Sequence, residues 1–591
     1  MKHRAILGCM TAAFTLATAG AFAEDHDGRD NHFYTATPIK HLVVIFQENV
    51  SFDHYFGTYP KAQNNAGETP FHALPGTPKF INTLVTPLDV NHHFKLLEGV
   101  DLLNKNPNSS AGTGATINGA FASNPFRLTP AEALTSDQGH NYTPEQAAYD
   151  NGKMDAFPHY VGVGGVPSTV GPQLAMGYYD GNTVTGLWNY AQHFALNDNA
   201  FTTVFGPSTP GAIDLISGQT NGFDIYTNVV DGSGNLLHTT HEVKDGNGNF
   251  TDIGDADPYG DVCSTKTGDT ILLHGQNIGD LLTVRGISWG WFEGGFDLTL
   301  KNANGTTGCA RSTAPVVNPA AFTADYIPHH EPFQYYASTA NATHARPFSV
   351  AAIGHRIIPG VGAADPANHQ YDIHDFFDAL EAGNFPAVSF LKASAYQDGH
   401  PGYSDPIDEQ DFVVKVINTL QKLPEWKDTA VIVTYDDSDG WYDHQMPPIV
   451  NASFTNADQL NGSGICNLGV QQERATAKTP LDGAFGLTAQ GRCGYGTRIP
   501  FLVISPYAKV NHVDHTLIDQ SSVLRFIEDN WLAGQRIQPG GSFDTIAGPL
   551  TNLFDFDHGR HGEAPKVFLD PATGKVVSIS ESEDDDHGDR R

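Results

Sequence analysis

Two apolar runs far apart in the chain each end in acid, and that pairing constrains the fold more than any other feature. In His41 to Pro60, HLVVIFQENVSFDHYFGTYP, the apolar residues up to Phe46 give way to Gln47, Glu48 and Asn49. In Asp428 to His444, DTAVIVTYDDSDGWYDH, the run Ala430 to Tyr435 gives way to Asp436 and Asp437. Short runs of β-branched and aromatic residues bounded by polar ones fit strands buried on both faces, as in a parallel sheet. Ligands of open α/β sheets collect beyond the strand carboxyl ends. Glu48, Asn49, Asp436 and Asp437 are therefore candidate oxygen ligands of one cation, which would offset the repulsion between adjacent carboxylates. Taken singly, an acid after a strand also reads as a helix cap or turn residue.

The rest of the chain supports a helix-strand alternation. Asn182 to Leu196 and Asp411 to Leu423 carry apolar residues at helical spacing, and the second leads directly into the acidic strand. Ala387 to Leu391 and Ile499 to Ser505 read as further strands, and Ser521 to Leu532 as a helix. Such alternation predicts an α/β fold around a mainly parallel, doubly wound sheet. Asn64 to Thr135 is loop-like, a length that suggests a functional or wrapping insertion. Two Gly/Asn turns, Asp231 to Asn235 and Asp245 to Asn249, predict hairpins; the second lacks the glycine of a calcium loop, with Phe250 in its place. Gly286 to Gly295, GISWGWFEGG, fits a pocket wall or ordinary core equally.

Met1 to Ala23 has basic residues, an apolar middle and a small-residue ending, the pattern of an export signal, and no later transmembrane segment appears. Four cysteines then remain, Cys263, Cys309, Cys466 and Cys493, which predicts two disulfides, the favoured pairs being Cys263 with Cys309 and Cys466 with Cys493. Without any CxxC spacing they do not read as a zinc site. Acidic residues outnumber basic ones 66 to 33, which opposes binding to nucleic acid or to an anionic membrane through charge. The 27 histidines would relieve much of this self-repulsion in acidic surroundings.

The nucleophile candidate lies in Asp198 to Gly218, DNAFTTVFGPSTPGAIDLISG. Thr209 fits a helix cap, Pro210 its first position and Gly218 its end, with Ser208 just ahead. A hydroxyl there would face unpaired backbone amides and the positive end of the helix dipole, a setting suited to a phosphoryl group. Ser208 or Thr209 serving merely as a cap is the competing reading. Gly206 to Pro210 lacks the second glycine of a GxSxG elbow. His329, His330 and His344 cluster in an irregular polar and aromatic run, and Lys392, Tyr396, Asp398 and His400 follow the strand at Ala387 to Leu391. Asp137 and His140 add polar groups without a defined role.

Together ENVSFDHYFGTYP, MGYYD, GPSTPG, HHEPFQYYASTANATH, YDDSDGWYDH and GTRIPFLVISPYAK resemble, in order, the phosphoesterase family of bacterial acid phosphatases and phospholipases C, within the alkaline phosphatase superfamily. The resemblance implies an α/β/α sandwich with loop and hairpin insertions, in which a hydroxyl beside a bound divalent metal ion attacks phosphorus. Carried over by motif, Glu48, Asn49, Asp436 and Asp437 would bind the metal, Ser208 would attack, and His330, His344 and His400 would bind phosphate or assist the leaving group. Val50 and the run Asp437-Ser438-Asp439 depart from the phospholipase C pattern and resemble the acid phosphatase branch. The expectation is an exported, periplasmic or secreted phosphatase acting on phosphate monoesters through a phosphoserine, with backbone amides near Thr209 stabilising the transition state. A phospholipase C or other phosphodiesterase is the alternative, and a nonenzymatic secreted binding protein the distant one.

The expected organisation is a signal at 1–23, a mobile leader at 24–36, and core from 37–220 and 384–563. A hairpin- and loop-rich insertion at 221–383 separates the two core parts, and a polar acidic tail occupies 564–591.

Overall fold

The structure, a computed structural model, describes residues 34–580 except 91, 110–116, 168–169, 228–240, 320–321, 468–479 and 558–564. The export signal, most of the leader, the turn at Asp231 to Asn235 and the Glu581 to Asp586 acidic run lie outside the described residues.

The fold is built on an eight-stranded sheet. Its strands are β1 (His41–Gln47), β2 (Ala195–Asn197), β3 (Trp289–Glu293), β4 (Gln370–Asp372), β5 (Val388–Lys392), β6 (Thr429–Tyr435), β7 (Phe501–Ile504) and β8 (His512–Asp514). Their spatial order is β4-β3-β5-β1-β6-β7-β2-β8. Only β7 runs against its neighbours β6 and β2; the other pairings are parallel. β6 and β5 are buried along their whole length and β1 from its second residue. Because successive side chains point to opposite faces, this burial means that both faces are covered, as expected for parallel strands.

The main helices are α1 (Thr185–His193), α2 (Ser208–Ser217), α3 (Ile278–Arg285), α4 (Ile373–Glu381), α5 (Pro406–Leu420) and α6 (Ser521–Trp531). α1 packs on β2 and β7, α3 and α4 on β3, and α2 on α6. The mixed α/β architecture with a mainly parallel central sheet agrees with the expectation. Cys263–Cys309 and Cys466–Cys493 are both disulfides, the pairing anticipated. Among the described residues no helix is long and apolar enough to cross a membrane.

Several local expectations change. The stretch 221–383, read as an insertion, contributes β3 and β4 to the central sheet. The aromatic segment at Gly286 to Gly295 is core, since Trp289, Trp291 and Phe292 are fully buried. The turn at Asp245 to Asn249 does close a hairpin, pairing Glu242–Lys244 with Phe250–Asp252. Asp245 accepts the backbone N–H groups of Asn247 and Asn249, so its carboxylate serves the turn. The polar tail expected from 564 gives way to a hairpin, Lys566–Leu569 with Val576–Ser580. Its Val567 and Leu569 are buried beside α5, where Gln421 bonds both the N–H and the carbonyl of Val567.

Candidate active site

Register brings the two acidic segments together. β1 and β6 pair in parallel from His41 opposite Thr429 to Gln47 opposite Tyr435, so Glu48 and Asp436 leave adjacent strand ends at the same level. The Asp436 N–H then donates to the Gln47 carbonyl at 3.1 Å, and the Asn49 N–H to Asp436 Oδ1 at 3.3 Å. Asn49 turns the chain with φ of 40°, a left-handed conformation that asparagine tolerates better than most residues. β5 lies on the other side of β1, and its last residue, Lys392, enters the same space.

A second network locks the two loops. Ser51 Oγ donates to the Tyr442 carbonyl at 2.9 Å, and the Asp53 N–H donates to Asp443 Oδ2 at 3.1 Å. Arg498, fully buried, bonds Asp53 Oδ1 and Asp443 Oδ2, each at 3.1 Å, and also the carbonyls of Asn82 and Asp198. This is why SFDH and WYDH accompany the two strand ends: their acids share one guanidinium, whose planar fork suits several carboxylate and carbonyl acceptors at once.

Ser208 is the first residue of α2, and Pro207 rather than Thr209 occupies the cap position. The Ser208 hydroxyl does not cap the helix. It lies 3.0 Å from Glu48 Oε2, 3.1 Å from Asp437 Oδ2 and 3.5 Å from Asn49 Oδ1. Gly211 permits this approach, because a Cβ there would overlap the Asp436 carbonyl. The expected amide of Thr209 is not free: its N–H donates to Asp255 Oδ1 at 3.0 Å. Thus Ser208, Glu48, Asn49, Asp436 and Asp437 converge, all of them at most 2% exposed.

The charge balance of this cluster is acidic. Lys392 Nζ bonds Glu48 Oε1 and lies 3.3 Å from Asp436 Oδ2. Burial alone would lower the lysine pKa, but Asp436, Glu48 and Asp398 outweigh it and hold it above the ordinary value. Burial and the neighbouring Glu48 charge push Asp436 and Asp398 well above the carboxylate range; burial, partly opposed by His140, does the same to Asp437. A serine has one hydroxyl proton, so Glu48 and Asp437 cannot both accept it. Asp398 Oδ2 is buried without a hydrogen-bond partner among the described residues. The Asn49 amide oxygen lies on the side of the Glu48 and Asp436 carboxylates, a mismatch that a cation would relieve. Hard oxygen donors around too little positive charge fit a divalent cation.

Two of the three proposed histidines join this cluster. His330 Nδ1 is 3.3 Å from Glu48 Oε1. Burial and then Lys392 drive the His330 imidazole well below its usual pKa. His400, lowered by burial to about 4, places Nδ1 2.6 Å from the Pro401 carbonyl. A carbonyl only accepts, so Nδ1 carries the proton and Nε2 of the neutral ring is left as an acceptor. Turning the Asn49 amide would set its oxygen 3.1 Å from that Nε2, acceptor against acceptor, so this tautomer favours the amide as it stands.

His344 is not brought to the cluster. Its Nδ1 is 2.9 Å from the Phe296 carbonyl and its Nε2 3.1 Å from both Asp261 oxygens, so both ring nitrogens are committed there.

Sequence reading gave no role to His140, whose Nδ1 lies 3.2 Å from Asp439 and 3.4 Å from Asp137. Burial would lower this imidazole, but Asp437, Asp137 and Asp439 together hold it well above its usual value. The rings of His140 and His400 stand 6.0 Å apart, and Asp137, 53% exposed, opens this side to solvent. Lys392 had a detectable signal, a charged residue ending an apolar run. Asp255 had none, because its placement depends on loop closure, whereas Asp439 stands two residues after Asp437 and reads in sequence only as a departure from the phospholipase C pattern.

Several known proteins are similar to this chain in sequence. The non-hemolytic phospholipase C of Pseudomonas aeruginosa is 24% identical over 554 residues, covering 92% of this chain and 61% of its own. Phospholipase C A of Mycobacterium tuberculosis is 22% identical over 563 residues, covering 93% and 84%. The chain thus spans about three fifths of the Pseudomonas relative. Among solved structures, murine ectonucleotide pyrophosphatase/phosphodiesterase 5 in complex with AMP is similar with a TM-score of 0.28 and 9% identity, over 63% of this chain and 94% of its own. A protein in the alkaline phosphatase superfamily from Vibrio parahaemolyticus gives a TM-score of 0.26 and 10% identity, over 77% and 81%. The Phosphoesterase family model matches residues 39–533, and the chain belongs to that family.

Proposed function

We propose that the chain hydrolyses phosphate esters with Ser208 as the nucleophile. The observation that carries this reading is the Ser208 hydroxyl 3.0 Å from Glu48 and 3.1 Å from Asp437, on residues delivered by two adjacent strand ends. One of these carboxylates accepts the hydroxyl proton as Oγ attacks phosphorus. The transferred phosphoryl group would then stand on Ser208, and His400, whose Nε2 is left as an acceptor, takes a proton from the water that releases it. His140, held protonated by Asp137 and Asp439, is suited to donate a proton to the departing oxygen. Lys392 fixes Glu48 and Asp436. Glu48, Asn49, Asp436 and Asp437 would hold a divalent cation, which when bound would supply Lewis-acid stabilisation of the phosphate oxygens and lower the serine pKa.

The departures at Val50 and Asp437-Ser438-Asp439 favour a broad-range acid phosphatase acting on monoesters. The relatives named phospholipase C favour a second reading, diester or phospholipid cleavage on the same residues. The two disulfides support an exported location.

The test is phosphate release and alcohol release from a monoester, a simple diester and phosphatidylcholine, by wild type and by Ser208→Ala. Ser208→Ala is expected to lose at least about a thousandfold on every ester that wild type cleaves. Turnover preserved in that variant would remove Ser208 from the role.

A further inference from the structure

The N-terminus of α2 is ordinarily where a phosphoryl group on Ser208 would find backbone donors. Here the position beside the nucleophile is already taken by an anion of the chain itself, since Asp255 Oδ1 accepts the Thr209 N–H at 3.0 Å. Asp255 comes from the loop between Phe250–Asp252 and Asp257–Pro258, and it is only partly buried. That loop is held in place: the Tyr335 hydroxyl donates to the Ala256 carbonyl at 2.6 Å, and the Ile253 N–H to the His241 carbonyl at 2.8 Å. Asp257, two residues on, is 3.4 Å from His329, whose imidazole is lowered by burial but raised overall to about 9 by Asp257, Asp255 and Glu48, so part of the Asp255 charge is offset by this cation. Lys392 is spent on Glu48 and Asp436. Bond lengths from Ser208 Oγ to the Thr209 nitrogen, plus the hydrogen bond, put the Asp255 carboxylate within about 7 Å of the nucleophilic oxygen.

We infer that Asp255 sets the charge selectivity of this site, penalising doubly ionised phosphate monoesters relative to singly charged diesters. The inference rests on the reading of Ser208 as nucleophile. A phosphate monoester carries about −1.5 to −2 charge near neutral pH, whereas a diester carries a single negative charge. The extra charge meets the Asp255 carboxylate at short range. Occupation of the Thr209 amide also removes one donor from the phosphate oxygens. At an effective dielectric constant of about 20, and discounted for partial exposure, one extra unit of charge at that separation is worth roughly tenfold in relative rate.

The experiment compares kcat/KM for p-nitrophenyl phosphate and bis(p-nitrophenyl) phosphate in wild type, Asp255→Asn and Asp255→Ser. Both variants keep an oxygen near the Thr209 amide and lose the charge, so either suffices if the other fails to accumulate. The monoester-to-diester ratio is expected to rise about tenfold over wild type. An unchanged ratio in an active variant overturns the inference, as does a parallel loss of both activities, which would make Asp255 a structural support only. If Ser208→Ala keeps wild-type turnover on these esters, it is the reading of Ser208 that fails, whatever the ratio in the Asp255 variants. A merely structural role would lower both rates together and leave their ratio in place.

Discussion

Asp214, on α2 six residues after the nucleophile, offers a sharp test of how this fold handles buried charge. It is fully buried, and neither carboxylate oxygen has a hydrogen-bond partner among the described residues. Burial pushes its pKa up to about 8, only partly opposed by Arg492 and reinforced by Asp519 and Asp544. The ordinary value is 3.8, so between about pH 4 and pH 8 the folded chain holds a proton that the unfolded chain has released. A raised folded pKa means stability that is fully present below pH 4 and is lost as pH rises towards 8. The slope is about 1.4 kcal/mol per pH unit, or roughly 3 kcal/mol between pH 5 and pH 7. No discount for solvent screening applies to a fully buried group.

Asp214→Asn replaces the protonated acid with a neutral side chain of nearly the same shape. In urea unfolding followed by tryptophan fluorescence, the margin of the variant over wild type should be roughly 3 kcal/mol larger at pH 7 than at pH 5. Other buried acids titrate in the same direction in both proteins, Glu409 with a value of about 8 and Glu145 of about 7, so both lose stability as pH rises and wild type is the steeper by the Asp214 contribution alone. A stability difference identical at both pH values would refute the claim that Asp214 is protonated in the folded chain.

Three further outcomes follow from the site. Lys392→Ala leaves Glu48 and Asp436 buried without their cation, and should cost about 3–5 kcal/mol in urea unfolding of the metal-free protein, with a smaller loss when divalent cation is added. Arg498→Ala strands Asp53 and Asp443 and two carbonyls, and should cost about 3–5 kcal/mol at pH 7; adding Asp443→Asn should recover part of that, as a double-mutant cycle would measure. His344→Gln should leave the kcat/KM for any cleaved ester within about threefold while lowering thermal stability, because that ring is committed to Phe296 and Asp261; a loss of a hundredfold or more would return His344 to the site.

The two strand ends were legible because apolar runs that stop in acid are a local signal, and register then converts two local signals into one site. The disulfides were legible for a similar reason, each pair lying within one stretch of chain. The start of α2 was misread by applying cap preferences to Thr209. Those preferences describe helices whose first hydroxyl is free to cap, and the Ser208 hydroxyl is engaged by two carboxylates instead. β4 was missed because three residues are too short to show a period. The hairpin at Lys566 to Ser580 did carry a signal, the turn sequence Asp570-Pro-Ala-Thr-Gly574, hidden by the acidic run that follows it. His140 and Asp255 reach the site only through loops that close across many residues, which no local pattern records.

The alignment of β1 with β6 admits only whole-residue steps. Sliding one strand past the other by a single position would carry Asp436 about 3.3 Å along the sheet and turn its side chain to the opposite face. There is no half-assembled version of this centre: during refolding, turnover should appear together with the last cooperative step of sheet formation and never precede it.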